Sequence, residues 1–487
     1  MAPYSSRPIP ESTGASESNK KVDALHGLFQ RQRQAYQSEP YPTYEQRTAW
    51  LNALEAMLDR NEDRLIAAVT EDFGARGTVE NLVAEIVMPI GAAKSARKSL
   101  RRWMKPKSVS TPLYLLPGKS RLEPQPLGVV GIISPWNYPV QLALVPAAAA
   151  LAAGNRVLIK PSELSPHTSA VMREIVADAF DETVMSVATG GVELGQAFST
   201  LPFDHLLFTG STAVGQKVYE AAAKNLTPVT LELGGKSPAI IDKSADLARA
   251  AKSIAYGNGF NAGQTCIAPD YVLTPEPLLR QTAAAIADAA RALYPEIDKT
   301  PDYTAIISDR HFARLKSMVE EAKASGAEVI EVGSANALHP QRKLPFTIVV
   351  DPKPDLGLMQ EEIFGPILPI LPIPSLDAAI SHVNKGERPL AFYWFGEDSK
   401  KRDFVLKQTT AGGVTINDTL VHYSQERLPF GGVGKSGIGA YHGDAGFETF
   451  SHMKPVFQQS RFASSGGLFP PYTDKTTKLI SILRKII

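Results

Sequence analysis

Two residues in this chain have the chemistry for covalent catalysis. Cys266 is the one cysteine among 487 residues and lies in FNAGQTCIAPD, 260–270. A thiolate is a strong nucleophile, and an isolated cysteine is otherwise a small buried hydrophobe. Gly259, Gly263 and Pro269 interrupt the regular pattern around it, so Cys266 belongs to an irregular loop, where functional groups concentrate. A nucleophile needs a base and oxyanion donors within reach. Glu232, in LELGG at 231–235, is the candidate base. A carboxylate between leucines is desolvated, which raises its pKa toward the working range; the same residue is equally compatible with a buried ion pair.

Two segments could hold phosphate or sugar. GSTAVG at 210–215 follows the apolar run 205–209, so Gly210, Ser211, Thr212 and Gly215 form a turn from a strand into a helix, whose N–H groups face an anion. A plain tight turn with an N-cap explains the segment as well. In KPSE at 160–163, at the end of another apolar run, Lys160 and Glu163 can bond ribose hydroxyls, and the carboxylate would repel a 2′-phosphate. Other matches fail on context. Gly432, Gly434 and Gly437 fit a dinucleotide fingerprint, but LPF precedes them where a strand is needed. Gly-Lys-Ser occurs at 235–237 and 434–436, each without the first glycine of a P-loop. The nine histidines have no helical pairing, so no metal site is expected.

The elements that must position these residues are those of an α/β protein. Apolar positions at helical spacing run from Glu45 to Val69, with Gly74 as the stop. Short apolar runs at 128–134, 156–160, 186–189 and 205–209 then alternate with helical stretches. Continuous Val, Ile and Leu mark strands buried on both faces, hence a doubly wound, Rossmann-like parallel sheet. Further strands at 239–242, 271–274, 347–351, 392–395 and 413–417, with a helix over 312–324, predict a second α/β lobe. The segment 106–126, rich in Pro and alternating residues, reads as a hairpin, a small β element for a subunit contact. The run 142–153, interrupted by Pro146, is too short for the ~20 residues of a membrane span and predicts a buried helix. The apolar tail 478–487 is expected to dock on another lobe or subunit.

Composition narrows the function. The balance of 51 Lys plus Arg against 50 Asp plus Glu leaves a net charge of +1, with no field to hold a polyanion, so no nucleic-acid partner is expected. One cysteine forbids intramolecular disulfides and fits a reducing, cytoplasmic setting. Residues 1–22, rich in Ser, Pro and charge, read as a disordered leader without a signal peptide.

Seven motifs occur in order: PWNYP at 135–139, KPSE at 160–163, FTGST at 208–212, ELGGK at 232–236, GQTC at 263–266, EEIFGP at 361–366 and PFGG at 429–432. This set resembles the aldehyde dehydrogenase superfamily. QTCIAPD at 264–270, LVHY at 420–423 and GAYHG at 439–443 resemble its class 3 branch, and GVTINDT at 413–419 with YTDK at 472–475 resemble the bacterial coniferyl aldehyde dehydrogenases. The resemblance implies NAD(P)-dependent oxidation of an aldehyde, aromatic such as coniferyl aldehyde or medium-chain aliphatic, to the acid through a cysteine thiohemiacetal and thioester. Cys266 would be the nucleophile, Asn137 the oxyanion donor and Glu232 the base for thioester hydrolysis. NAD, with NADP possible, would contact Lys160 and Glu163 at the adenosine ribose, Gly210, Ser211, Thr212 and Gly215 near the pyrophosphate, and Leu233, Glu362 and Phe364 toward the nicotinamide. Phe430 would line the substrate mouth, while Trp136 reads as packing. The implied organisation is a cofactor domain from 23–105 and 127–231, a catalytic domain from 232–430, and bridging or oligomerisation segments 106–126 and 431–487 in a homodimer. The alternatives are a coenzyme A-acylating enzyme, against which Glu232 argues, and a silent protein on the same fold, for which Cys266, Glu232 and Asn137 together would have no use.

Overall fold

The computed structural model describes residues 13–333, 342–462 and 469–486. Among these, the strands form three sheets. In the first, Val129–Ile133 occupies the middle, flanked on one side by Arg156–Lys160 and Met185–Val187 and on the other by His205–Thr209 and Val229–Glu232, all parallel. The chain therefore leaves its central strand first to one side and then to the other. That reversal creates a crevice at the carboxyl ends of Val129–Ile133 and His205–Thr209, where doubly wound sheets bind ligands. Every residue of these two strands is buried, which is why they read as continuous apolar runs.

Only the short link 233–237 separates Glu232, the last residue of its strand, from Pro238–Ile241 in the second sheet. That sheet runs in the order Glu328–Val332, Phe346–Val350, Ile367–Ile373, Tyr271–Pro275, Pro238–Ile241, Ala391–Phe395 and Gly413–Ile416, and its first strand is antiparallel to the rest. The two sheets are thus joined at the candidate base. The third sheet joins distant segments: Lys107–Val109 and Lys119–Pro126 form a hairpin, and Ser451–Gln458 pairs antiparallel with the latter.

The expected buried helix is Gln141–Ala153, with only Ala149 less than fully buried. It is apolar on all sides, so its charged contacts come from elsewhere and at its ends. Buried Arg47 donates from Nη1 to the carbonyls of Ala152 and Ala153 at 3.2 and 2.8 Å, satisfying groups that a helix C-terminus leaves open. Gly154 follows at φ +92°, a conformation that favours glycine. At the other end the carboxylate of Glu85 accepts from the backbone N–H groups of Val140 and Gln141, each at 3.0 Å.

Several expectations need correction. The helix read over 45–69 is two, Tyr44–Arg60 and Glu62–Phe73, broken at Asn61, whose φ of −116° is not helical; Gly74 ends the second in the left-handed region. The reading of 1–22 as disordered fails over its second half, because a helix spans Thr13–Ser38; residues 1–12 lie outside the described residues. Leu25 and Phe29 bury themselves beside Phe203, and Gln32 donates to the Val157 and Glu182 carbonyls at 3.0 Å, which pins this helix to the first sheet. The strand Ile367–Ile373 lies outside the predicted strands, because Pro369 and Pro372 argue against an interior strand. The tail helix Asp474–Ile486 leaves Ile480 and Ile482 more than half exposed within one chain.

Candidate active site

The site is built where strand ends and loops converge on Cys266. After Val129–Ile133 the chain enters the PWNYP loop and then the buried helix Gln141–Ala153. Asn137 is almost wholly buried there, with its carbonyl accepting from the Asn261 side chain and its Nδ2 donating to the Gln264 carbonyl, both at 3.1 Å. An amide nitrogen carries two donors, so a second N–H is available beyond the one used by Gln264.

The loop before Cys266 is held in an uncommon backbone conformation. Asn261, Ala262 and Gly263 all have φ between +51° and +71°. For alanine this region costs of order 1 kcal/mol or more, and such strain persists only where surroundings over-determine it. Gln264 is what over-determines it. Its amide donates to the carbonyls of Asn261 and Ala305 at 3.0 and 3.1 Å and accepts from the Ile307 N–H at 3.0 Å, using both ends. Gly263 has no room for a side chain, since a Cβ would stand 2.3 Å from the Gly365 carbonyl oxygen. Tyr138 and Thr265 share a hydroxyl hydrogen bond of 2.6 Å that ties the two loops together.

Two cavities meet at Cys266. One, of about 220 Å³, is lined by Asn137, Gly210, Ser211, Glu232, Glu362 and Phe364, among others. The other, of about 140 Å³, is apolar and aromatic, lined by Tyr138, Tyr256, Phe260 and Tyr423 together with Met88 and Leu420. Cys266 belongs to both, so a group entering by the aromatic side and one entering by the glycine-turn side reach the same sulfur.

Burial dominates the electrostatics of the site. Both carboxyl oxygens of Glu232 are buried without a hydrogen-bond partner, and burial lifts its pKa well above the carboxylate range. Thr209 Oγ1, beside it in the cavity, is likewise unpartnered. Burial, then the charges of Glu362 and Glu232, push the Cys266 thiol up, while the backbone N–H groups of Cys266 and Ile267 pull the other way. Glu362 is raised to about 8 by burial and by Asp270, against the Gly235 N–H, Lys236 and Arg314. A Cβ at Gly234 would stand 2.1 Å from the Glu362 carboxylate, so the glycine lets this carboxylate approach the link after Glu232.

The first-sheet residues expected to hold a dinucleotide lie at the carboxyl ends of its strands and in the loops and the helix start that follow them. Ser211 caps the helix Thr212–Ala223, its hydroxyl accepting from the Val214 N–H, and Gly215 lies beneath with Leu233 filling the space its missing side chain leaves. Thr212 faces the adjoining cleft with Gly234 and Glu362. Lys160 and Glu163 are farther along, joined by a 2.8 Å ion pair beside a separate pocket of about 270 Å³ that also includes Arg173 and Thr189. Burial raises Glu163, the Lys160 hydrogen bond lowers it, and the balance leaves it below the usual carboxylate range. Unpartnered Glu232 and Thr209 in the cavity at Cys266, a helix N-terminus that opens on it and the Lys160–Glu163 pair at the end of a parallel strand fit a dinucleotide.

Phe430 is where the structure departs from expectation. It is buried one layer behind the aromatic cavity, with its ring 4.7 Å from that of Tyr423, because a backbone bridge to Tyr441 turns it inward. Tyr423 forms the wall instead. Trp136 does pack, against Phe364 at 5.5 Å and His311 at 5.2 Å, and also lines the cavity. His311 and Arg314, on the helix Asp309–Ala324, line it too and were missed. In the sequence Arg314 falls on the predicted helix 312–324 and His311 just before it, and nothing local marks either as a cavity residue.

Known proteins resemble most of the chain. The family model described as aldehyde dehydrogenase family matches residues 6–456. A Pseudomonas aeruginosa protein named probable coniferyl aldehyde dehydrogenase is 46% identical over 95% of this chain and 97% of its own. The structure titled substrate bound state of Staphylococcus aureus AldH superposes with a TM-score of 0.90 at 39% identity, covering 94% of this chain and 99% of that one. A Mycobacterium tuberculosis aldehyde dehydrogenase complexed with NAD+ has a TM-score of 0.81 at 30% identity, over 93% and 91% of the two chains.

Proposed function

The chain belongs to the aldehyde dehydrogenase family and oxidises an aldehyde with NAD(P), and from that premise we propose that Cys266, Asn137 and Glu232 carry the reaction on an aromatic aldehyde of the coniferyl type. The observation that carries this reading is the meeting of the two cavities at Cys266. The aldehyde lies in the aromatic cavity with its carbonyl at the sulfur. The Cys266 thiolate attacks that carbon, and the Asn137 amide with the Cys266 backbone N–H holds the oxyanion. NAD(P), when bound along the glycine-turn crevice, supplies the two-electron acceptor. Lys160 and Glu163 bind its adenosine ribose, Gly210, Ser211, Thr212 and Gly215 approach its pyrophosphate, and Leu233, Glu362 and Phe364 frame the nicotinamide end. Once the aldehyde hydrogen has left with its electron pair to that acceptor, the adduct is a thioester on Cys266, and a water that Glu232 deprotonates hydrolyses it, which frees the carboxylic acid and the thiol.

Substrate class follows from the wall. Four aromatic rings and few charges favour a planar aromatic guest, since offset and edge-to-face ring contacts add about 0.5–1.5 kcal/mol beyond area. An ionised Glu163 favours a ribose hydroxyl over a 2′-phosphate. Absorbance at 340 nm should therefore give a higher kcat/KM for coniferyl aldehyde than for hexanal, and a lower KM for NAD than for NADP. Equal or better kcat/KM with hexanal would remove the aromatic assignment.

We also propose a homodimer built on the third sheet, where Val109 and Phe457 and the neighbouring Leu113 and Leu116 leave apolar surface exposed. Light scattering should return twice the chain mass of 52.6 kDa, and a monomer would refute this. Among the described residues no helix is long and apolar enough to cross a membrane. A catalytic thiol must stay reduced, and this supports a cytoplasmic setting.

A further inference from the structure

The turn Leu82–Val87 is π-helical, a rare widening of a helix that is frequent at functional sites. It touches the site on two sides. Val83 and Ala84, with Met88 just beyond, line the aromatic cavity. Between them Glu85 points the other way and is completely buried. One carboxylate oxygen accepts from Arg76 Nη1 at 2.9 Å, and the other accepts from the N–H groups of Val140 and Gln141 at 3.0 Å each. Arg76 is itself buried, held over the rings of Phe73 and Tyr138 at 4.8 and 5.0 Å.

The two amides that Glu85 grips begin the helix Gln141–Ala153, only three residues after Asn137. A helix start carries unsatisfied N–H groups and a partial positive charge, so a carboxylate placed there is a strong anchor. Val140 offers no side-chain cap of its own. The far end of the same helix is fixed by Arg47. The Asn137 loop thus hangs from a rod clamped at both ends, and the near clamp is on the turn that forms the substrate wall.

We propose that Glu85 is a positioning residue for the oxyanion hole: by holding the Val140 and Gln141 amides it sets where the Asn137 side chain meets the reacting carbonyl. Because Val83 and Ala84 share its turn, aldehyde pressing on that wall acts on the same support. This inference rests on Asn137 being the oxyanion donor.

A double-mutant cycle tests it, using first-turnover NADH formation, the KM for NAD and the melting temperature of the full chain. Misplacement of a reacting group by about 1 Å can cost on the order of 100-fold. Glu85→Gln, which keeps an acceptor but loses the charge against Arg76, should slow the first turnover by about 10- to 100-fold while leaving the KM for NAD within about twofold. Combined with Asn137→Ala it should add little, because both remove the same stabilisation, whereas independent losses multiply. Should Glu85→Gln not fold, Glu85→Asp keeps the charge with a shorter reach and should show a smaller loss with the same lack of addition. Losses that multiply, or a normal first turnover in a Glu85 variant, overturn the proposal while leaving the Asn137 reading intact. A normal first turnover in Asn137→Ala alone overturns the oxyanion reading and this inference together.

Discussion

One equivalent of iodoacetamide should abolish turnover, and Cys266→Ala should lower kcat by on the order of 10⁴-fold or more, the scale on which covalent enzymes lose activity when the nucleophile goes. The labelling test is unusually clean, since no second thiol exists in the chain to react. Its pH dependence has a definite sign. The reactive species is the thiolate, and burial together with the Glu362 and Glu232 charges raises the thiol above its ordinary value. In the ligand-free enzyme, alkylation should therefore be slow at neutral pH and still accelerating beyond pH ~10, where a free cysteine, with a pKa of about 8.5, has levelled off. Bound aldehyde or NAD should change this rate, because each fills a cavity that ends on the sulfur. Full activity after complete alkylation, verified by mass, would sink the covalent mechanism.

Glu232→Gln should release one NADH per site in a first turnover and then stall. The substitution keeps size and burial but removes the base that activates the hydrolytic water, so the thioester accumulates on Cys266. A positioned general base contributes roughly 10²–10⁴-fold, and a loss in that range is expected in steady-state kcat. In the unsubstituted enzyme the base must be ionised to act. Burial without a hydrogen-bond donor raises its pKa well above the carboxylate range, so wherever hydrolysis limits the rate, kcat should keep rising with pH through neutrality. An ordinary glutamate, with a pKa of about 4.3, would leave kcat flat above pH ~6. A rapid-quench measurement with mass detection of the acyl-enzyme decides the point. Normal turnover by Glu232→Gln removes Glu232 from the role.

How far these residues could be found without coordinates differs from one to the next. Strands such as Arg156–Lys160 and His205–Thr209 match the expected bounds because burial on both faces writes itself as an unbroken apolar run. Ile367–Ile373 sits in the interior of its sheet all the same, yet Pro369 and Pro372 hide it, since local composition argues for a loop while pairing on both sides makes a strand. Asn61 divides a helix that side-chain periodicity reads as continuous. Gly210 and Ser211 were visible as a turn, but a turn and a phosphate site look alike until the helix is seen to open on the same cavity as Cys266.

The sequence by itself determined the reacting types. A lone cysteine in a broken loop and a glutamate set between leucines point to a nucleophile and a base, because reactivity depends on functional groups and their immediate neighbours, while aldehyde oxidation comes from the resemblance that the ordered motifs carry. Tertiary structure alone decided which side chains surround them. Phe430, expected at the substrate mouth, stands behind Tyr423; His311 and Arg314 reach the cavity from a helix in the second lobe; Glu85 holds the Asn137 loop from a turn more than fifty residues away. Such contacts arise where two sheets and a clamped helix meet, and no local pattern of residue types encodes which distant elements the chain brings together.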